Sequence, residues 1–129
     1  MGKKRVLLVD DEVGLTRLLK LNLEQTGNYE VRMENLGAQG ITAAQEFQPD
    51  LILCDVIMPD LEGTEVAAQI KANPVLTNVP FIFLTAVISR EEVEAQGGMI
   101  GGHEFIAKPV TVEQVVECIE KHLPGGYHA

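Results

Sequence analysis

A small set of side chains able to do chemistry stands at the carboxyl ends of short apolar runs. Val6-Leu7-Leu8-Val9 leads into Asp10-Asp11-Glu12, and Leu51-Ile52-Leu53-Cys54 leads into Asp55. Phe81-Ile82-Phe83-Leu84 leads into Thr85, and Phe105-Ile106-Ala107 leads into Lys108-Pro109. Singly, each has a plain structural role: Asp10 or Asp11 as a helix cap, Thr85 as an ordinary strand residue, Lys108 as a solvated charge. Jointly, those roles do not suffice. Crowded carboxylates raise one another's pKa unless a cation neutralises them. A hard divalent cation that takes oxygen ligands and completes its shell with water meets that need. Asp10, Asp11 and Asp55 are therefore candidate Mg²⁺ ligands, with the Lys108 ammonium beside them. Carboxylates, a hydroxyl and an ammonium around Mg²⁺ suit phosphoryl transfer. The chain has neither a GxxxxGK[ST] nor a GxGxxG loop to cradle a nucleotide. The phosphoryl acceptor is then a side chain. Asp55 is the candidate nucleophile, because carboxylates form acyl phosphates.

The elements that must position these groups can be read from periodicity. Three of the apolar runs are continuous, as expected for strands covered on both faces of a parallel sheet. Tyr29-Glu30-Val31-Arg32-Met33 alternates instead, which suits a strand nearer the edge. Between the runs lie helical patterns. Leu15, Leu18, Leu19 and Leu23 form one stripe, with Gly27 placed as its C-cap. Val66, Ala67 and Ile70 form another, ended by Asn73-Pro74. Val112, Val115, Val116, Ile119 and Leu123 form a third, opened by a capping box at Thr111 and Gln114. Ser89 and Glu92 make a second capping box, before a helix in which Val93 is almost the only apolar residue. Five βα units with right-handed crossovers give an open, doubly wound α/β sheet. Function in such sheets sits beyond the strand carboxyl ends.

Composition narrows the class. The 129 residues carry 10 Lys+Arg against 19 Asp+Glu, a formal charge of −9. Acidity of this order argues against direct nucleic-acid binding. The length suits one domain, and 46% hydrophobic with 22% charged residues is a globular balance. The opening MGKKRVLLVDDE has too short an apolar stretch for a signal peptide. The longest uncharged stretch, 72–89, contains Pro74 and Pro80 and is no membrane span. Cys54 and Cys118 lack a CxxC partner, so zinc and redox motifs are not expected. Without a disulfide framework the expected setting is reducing and cytoplasmic. His103, His122 and His128 show no metal-like clustering along the sequence and read as surface residues, as do Asp60 and Glu62.

These residues resemble a family. VLLVDDE (6–12), DLILCDVIMPDLEG (50–63), PFIFLTA (80–86) and EFIAKPV (104–110) are similar, in order and spacing, to the receiver domain of two-component response regulators. The chain also resembles the single-domain, chemotaxis-type regulators. The resemblance covers residues 5–123. It implies a flavodoxin-like (βα)5 fold, five parallel strands in the order 2-1-3-4-5, and a single receiver domain over 1–129 with 124–129 as tail or linker. It implies that Asp55 receives a phosphoryl group from a sensor histidine kinase or a histidine phosphotransfer protein. Asp11 would ligate Mg²⁺ directly, Asp10 partly through water, and Ile57 through its backbone carbonyl. Thr85 and Lys108 would contact the phosphoryl oxygens, and Lys108-Pro109 would be cis. Phe105, with Thr85, holds the switch position. A downstream target or effector domain would read the face around 89–96, Phe105 and 111–123, with homodimerisation on phosphorylation left open. Ile57 and Val87 hold the two positions that tune hydrolysis of the phosphorylated form in the resembled family. Gly97, Gly98, Gly101 and Gly102 make a glycine-richer approach to the last strand than is usual there.

Two rivals belong to other classes. A haloacid-dehalogenase-like phosphatase would use Asp10 as nucleophile and needs acids after a later strand, where this chain has Thr85 and Lys108. A receiver-like interaction module working without phosphorylation would not need the complete acidic, hydroxyl and ammonium set. The expected product is a signalling phosphoacceptor that assists its own chemistry, not an enzyme with a separate substrate.

Overall fold

The computed structural model describes residues 2–100 and 103–123 of the chain. The apolar runs form β1 (Lys4–Val9), β2 (Tyr29–Glu34), β3 (Leu51–Asp55) and β4 (Phe81–Thr85). A short β5 (Met99–Ile100) precedes β6 (His103–Ala107). The helices are α1 (Val13–Gln25), α2 (Gly37–Phe47), α3 (Gly63–Lys71), α4 (Arg90–Ala95) and α5 (Val112–His122). The sheet order is β2-β1-β3-β4-β6-β5. Neighbours pair in parallel except at β5, which runs antiparallel to β6.

The doubly wound α/β sheet is therefore as expected, with one addition. The five-strand order 2-1-3-4-5 holds for the parallel strands, and a sixth, two-residue strand caps the edge. Its cause is local. Gly97 and Gly98 have φ of +67° and +82°, conformations that glycine adopts without a Cβ penalty. They close α4 through Gly97 N–H to Glu94 O and Gly98 N–H to Val93 O, and turn the chain back. Phe105 N–H then donates to Gly98 O at 2.9 Å. Gly101 and Gly102, and the tail 124–129 with His128, lie outside the described residues.

Alternation along the buried strands feeds two cores. Val6, Leu8, Leu51, Leu53, Ile82 and Leu84 pack against α1 and α5. Leu7, Val9, Ile52 and Cys54 pack against α2 and α3. Each fully buried Leu or Ile contributes about 1.5–3 kcal/mol, so the strand ends are held on a stiff base. On α1 the buried positions are Thr16, Leu19 and Leu23, while Leu18 is 55% exposed. The expected stripe is thus narrower than four leucines, because 3.6 residues per turn carries Leu18 off the face shared by Leu15, Leu19 and Leu23. Both capping boxes form, Ser89 with Glu92 and Thr111 with Gln114.

Gly63 opens α3 in a place that admits no side chain. A Cβ there would lie 2.2 Å from the backbone oxygen of Asp55. Its N–H donates to Val56 O at 2.7 Å, so the helix starts against the end of β3.

Candidate functional site

The carboxyl ends of β1, β3, β4 and β6 bring Asp10, Asp11, Asp55, Thr85 and Lys108 to one rim, as their positions after the apolar runs require. Asp10 is buried, Asp55 is 7% exposed, and Asp11 lies at the surface. One carboxylate oxygen from each of the three lies within 4.8 Å of the others. Lys108 Nζ reaches into this group, 2.8 Å from Asp10 Oδ2, 2.5 Å from Glu12 Oε1 and 3.4 Å from Asp55 Oδ2. Thr85 is buried, and its Oγ1 accepts a hydrogen bond from Val87 N–H at 3.0 Å. Lys108 N–H donates to Thr85 O at 2.7 Å, and the Lys108-Pro109 bond is cis. Ile57 N–H points at Asp55 Oδ1, 3.4 Å away. Ile57 and Val87 are 57% and 70% exposed, and both line the cleft of about 220 Å³ over Asp55.

The electrostatics follow from this crowding. Burial, then the Asp10 carboxylate, push the Asp55 carboxyl up to about 6, against the pull of Lys108 and the Ile57 N–H. Burial works against the Lys108 ammonium, but Asp10, Glu12 and Asp55 outweigh it and hold its pKa above the ordinary lysine value. Asp10 Oδ2 is buried and accepts no aligned hydrogen bond; its compensation is the ion pair with Lys108. A buried carboxylate oxygen left without an aligned donor, with two further carboxylates in reach, fits a hard cation with oxygen ligands. The residues present can therefore hold Mg²⁺.

Three further side chains support the site. Glu12 extends the acid run beyond the expected ligands, and its carboxylate covers the outer side of Lys108. Asn35 Nδ2 donates to Asp10 O at 2.7 Å and to Thr16 Oγ1 at 3.1 Å, fixing the turn between β1 and α1. Asp60 is expected to face solvent. It is exposed, but it accepts hydrogen bonds from Gly37 and Ala38 N–H at 2.9 and 3.0 Å, capping α2 from the β3–α3 turn. Those N–H donors hold its carboxyl below the ordinary value. Glu62 is exposed, as expected.

Phe105 is half-buried on β6, its ring 5.2 Å from that of Phe83. It lines a cleft of about 240 Å³ between α4 and α5. The expectation that no histidine has metal-like neighbours fails at His122. The i,i+4 spacing of Cys118 and His122 puts both on one face of α5, and the fold brings Glu104 across from β6. Both cysteines are free and buried.

A family model for the response regulator receiver domain matches residues 6–120. The chain belongs to that family. The receiver domain is 33% identical over 122 residues to the polar-differentiation response regulator DivK of Brucella anthropi, covering 93% of this chain and 96% of that one. It is 30% identical over 119 residues to the DNA-binding dual master transcriptional regulator RpaA of Synechocystis sp., covering 92% of this chain and 48% of that protein. The chain thus spans about half the length of the transcriptional regulators it matches. Among solved structures, the chemotaxis protein CheY4 of Vibrio cholerae superposes with a TM-score of 0.79 at 26% identity, covering 95% of this chain and 100% of that one. Receiver domains are phosphoacceptors in two-component signalling and interact with histidine kinases and downstream effectors. No helix among the described residues is long and apolar enough to cross a membrane.

Proposed function

We propose that Asp55 is the residue phosphorylated in this receiver domain, by a phosphohistidine of a sensor kinase or a histidine phosphotransfer protein. An Asp55 carboxylate oxygen attacks the phosphorus, the P–N bond to the donor imidazole breaks, and the acyl phosphate stays on the chain. The observation that carries this reading is the place of Asp55: a carboxylate only 7% exposed, at the floor of a cleft, between an acidic pair and an ammonium. Asp10, Asp11, Asp55 and the Ile57 carbonyl would hold Mg²⁺. When bound, that ion supplies charge neutralisation between the carboxylates and the incoming phosphoryl oxygens.

The chain's own groups do the rest. Lys108 is held by Asp10 and Glu12 so that its charge already faces Asp55, which spares reorganisation when negative charge arrives. Thr85 Oγ1 gives up only one N–H contact if it turns to donate to a phosphoryl oxygen. That turn withdraws the hydroxyl from the β4–α4 connection, next to Phe83 and Phe105. The population of the α4–β6–α5 face shifts, and a target or effector domain reads the shift. A cytoplasmic protein working as a signalling phosphoacceptor is the setting this chemistry suits.

Intact-mass measurement after incubation with a small phosphodonor tests the assignment. The chain should gain one phosphoryl mass with Mg²⁺ present and none in EDTA, and Asp55→Asn should gain none. Equal phosphorylation of Asp55→Asn would place the acceptor elsewhere, with Asp10 the first alternative.

A further inference from the structure

We propose that Glu104, Cys118 and His122 bind a divalent transition-metal ion of the zinc type, at a site separate from the Asp55 cleft. The His122 Nε2 to Glu104 Oε1 distance is 2.6 Å, and Cys118 Sγ lies 4.0 Å from Glu104 Oε2. The three ligand atoms all fall within 4.8 Å of one another. Tetrahedral zinc with one sulfur, one nitrogen and one oxygen ligand sets these atoms roughly 3.3–3.7 Å apart. To reach those separations the His122–Glu104 pair must open from 2.6 Å while the Cys118 thiol moves in from the outer side of the group.

The donor set selects the metal class. A thiolate and an imidazole are poor ligands for Mg²⁺ or Ca²⁺ and good ones for zinc and its neighbours. Three protein ligands leave a fourth position for water or for a group from a partner. The pocket is also preformed. Cys118 is 6% exposed, and the Glu104 and His122 side chains are 14% and 25% exposed. The cleft between α4 and α5, walled in part by Glu104, Cys118 and Lys121, gives an ion a path from solvent. A cysteine filling a core gap needs no carboxylate beside it, yet the Cys118 thiol faces one.

Two groups oppose binding. The Cys118 thiol proton must leave to solvent as the thiolate forms on the metal. The Lys121 ammonium lies 3.5 Å from Glu104 Oε2, but its side chain is 63% exposed and free to swing into water. Once bound, the ion would tie α5 to β6 one residue from Phe105.

Cobalt(II) titration of the intact chain, with Mg²⁺ present to occupy the acidic site, provides the test. A thiolate-to-cobalt charge-transfer band should appear in the near ultraviolet, saturate at one equivalent and vanish on addition of zinc. Cys118→Ser should abolish the band, and His122→Gln should weaken cobalt binding by more than about tenfold. Asp11→Asn and Cys54→Ser should leave it intact. His122→Gln changes a partly exposed side chain, so it keeps the test decisive even if Cys118→Ser unfolds. Absence of the band, its persistence in folded Cys118→Ser, cobalt binding unweakened in His122→Gln, or loss of the band in Cys54→Ser would each overturn the proposal. Because Asp55 takes no part, this result stands or falls apart from phosphorylation.

Discussion

Replacing Asp55 with asparagine should make the metal-free protein more stable at neutral pH, although it removes the proposed phosphoacceptor. Burial and the Asp10 carboxylate raise the Asp55 carboxyl from 3.8 to about 6. A folded-state pKa above the unfolded value means that the favourable contribution is complete below pH 3.8 and is lost as pH rises through about 6. At neutral pH the ionised carboxylate therefore costs stability, with a ceiling of about 3 kcal/mol for a rise of this size. Asparagine keeps the shape and drops the charge. Lys108 loses one of its three carboxylate partners in the variant, which offsets part of the gain. A net gain of about 1–2 kcal/mol is expected, or about 4–8 °C in Tm for a chain of this length. Urea unfolding in EDTA at about pH 7.5 and about pH 4 would measure it. The gap should be open at the higher pH and nearly closed at the lower. Addition of Mg²⁺ should narrow it at pH 7.5 by stabilising the wild type more, since a ligand bound to the folded state raises its stability by mass action. A variant no more stable than wild type at pH 7.5, or a gap equal at both pH values, would refute the electrostatic account of the site.

Other perturbations test separate parts of the argument. Asp11→Ala should weaken Mg²⁺ binding and slow phosphorylation more than any other single acid outside Asp55, as followed by calorimetry and intact mass. The phosphorylated form should be comparatively long-lived, because Ile57 and Val87 place aliphatic bulk over the approach to Asp55 and offer no group to orient a water; Ile57→Asn and Val87→Glu should both speed dephosphorylation. Amide exchange after phosphorylation should change in α4, β6 and α5, and changes confined to α1 would contradict the assigned face. Gly63→Ala should destabilise the chain by roughly 1–3 kcal/mol in urea unfolding, since a methyl group there collides with the Asp55 carbonyl.

Much of this molecule is visible in its sequence because its strongest signals are local. A parallel strand buried on both faces must be a continuous apolar run, so Leu51-Ile52-Leu53-Cys54 announces both the strand and the carboxylate at its end. The capping boxes at Ser89 and Thr111 are four-residue patterns and form as written. What escapes is spatial. Met99–Ile100 is two residues long and has no period to detect; only the glycine turns before it make it a strand. Asp60 and Asn35 work through contacts 22–25 positions away, on α2 and the β1–α1 turn. Cys118 and His122 show their shared helix face at i,i+4, but Glu104 joins them only because β6 lies under α5. Leu18 shows the converse error: a leucine at plausible spacing that the helix turns outward.

The turn between β3 and α3 has little slack. Gly63 seats the start of α3 on the carbonyl of Asp55, and Asp60 staples the same turn to α2. The opposite bank of the cleft is built differently, from a six-residue α4 that buries only Val93 and ends in two glycines. A body with one rigid wall and one compliant wall bulges on the compliant side, whatever the direction of the load. A push arising at Asp55 on phosphorylation would meet more resistance at the close-packed start of α3 by Gly63 than at α4.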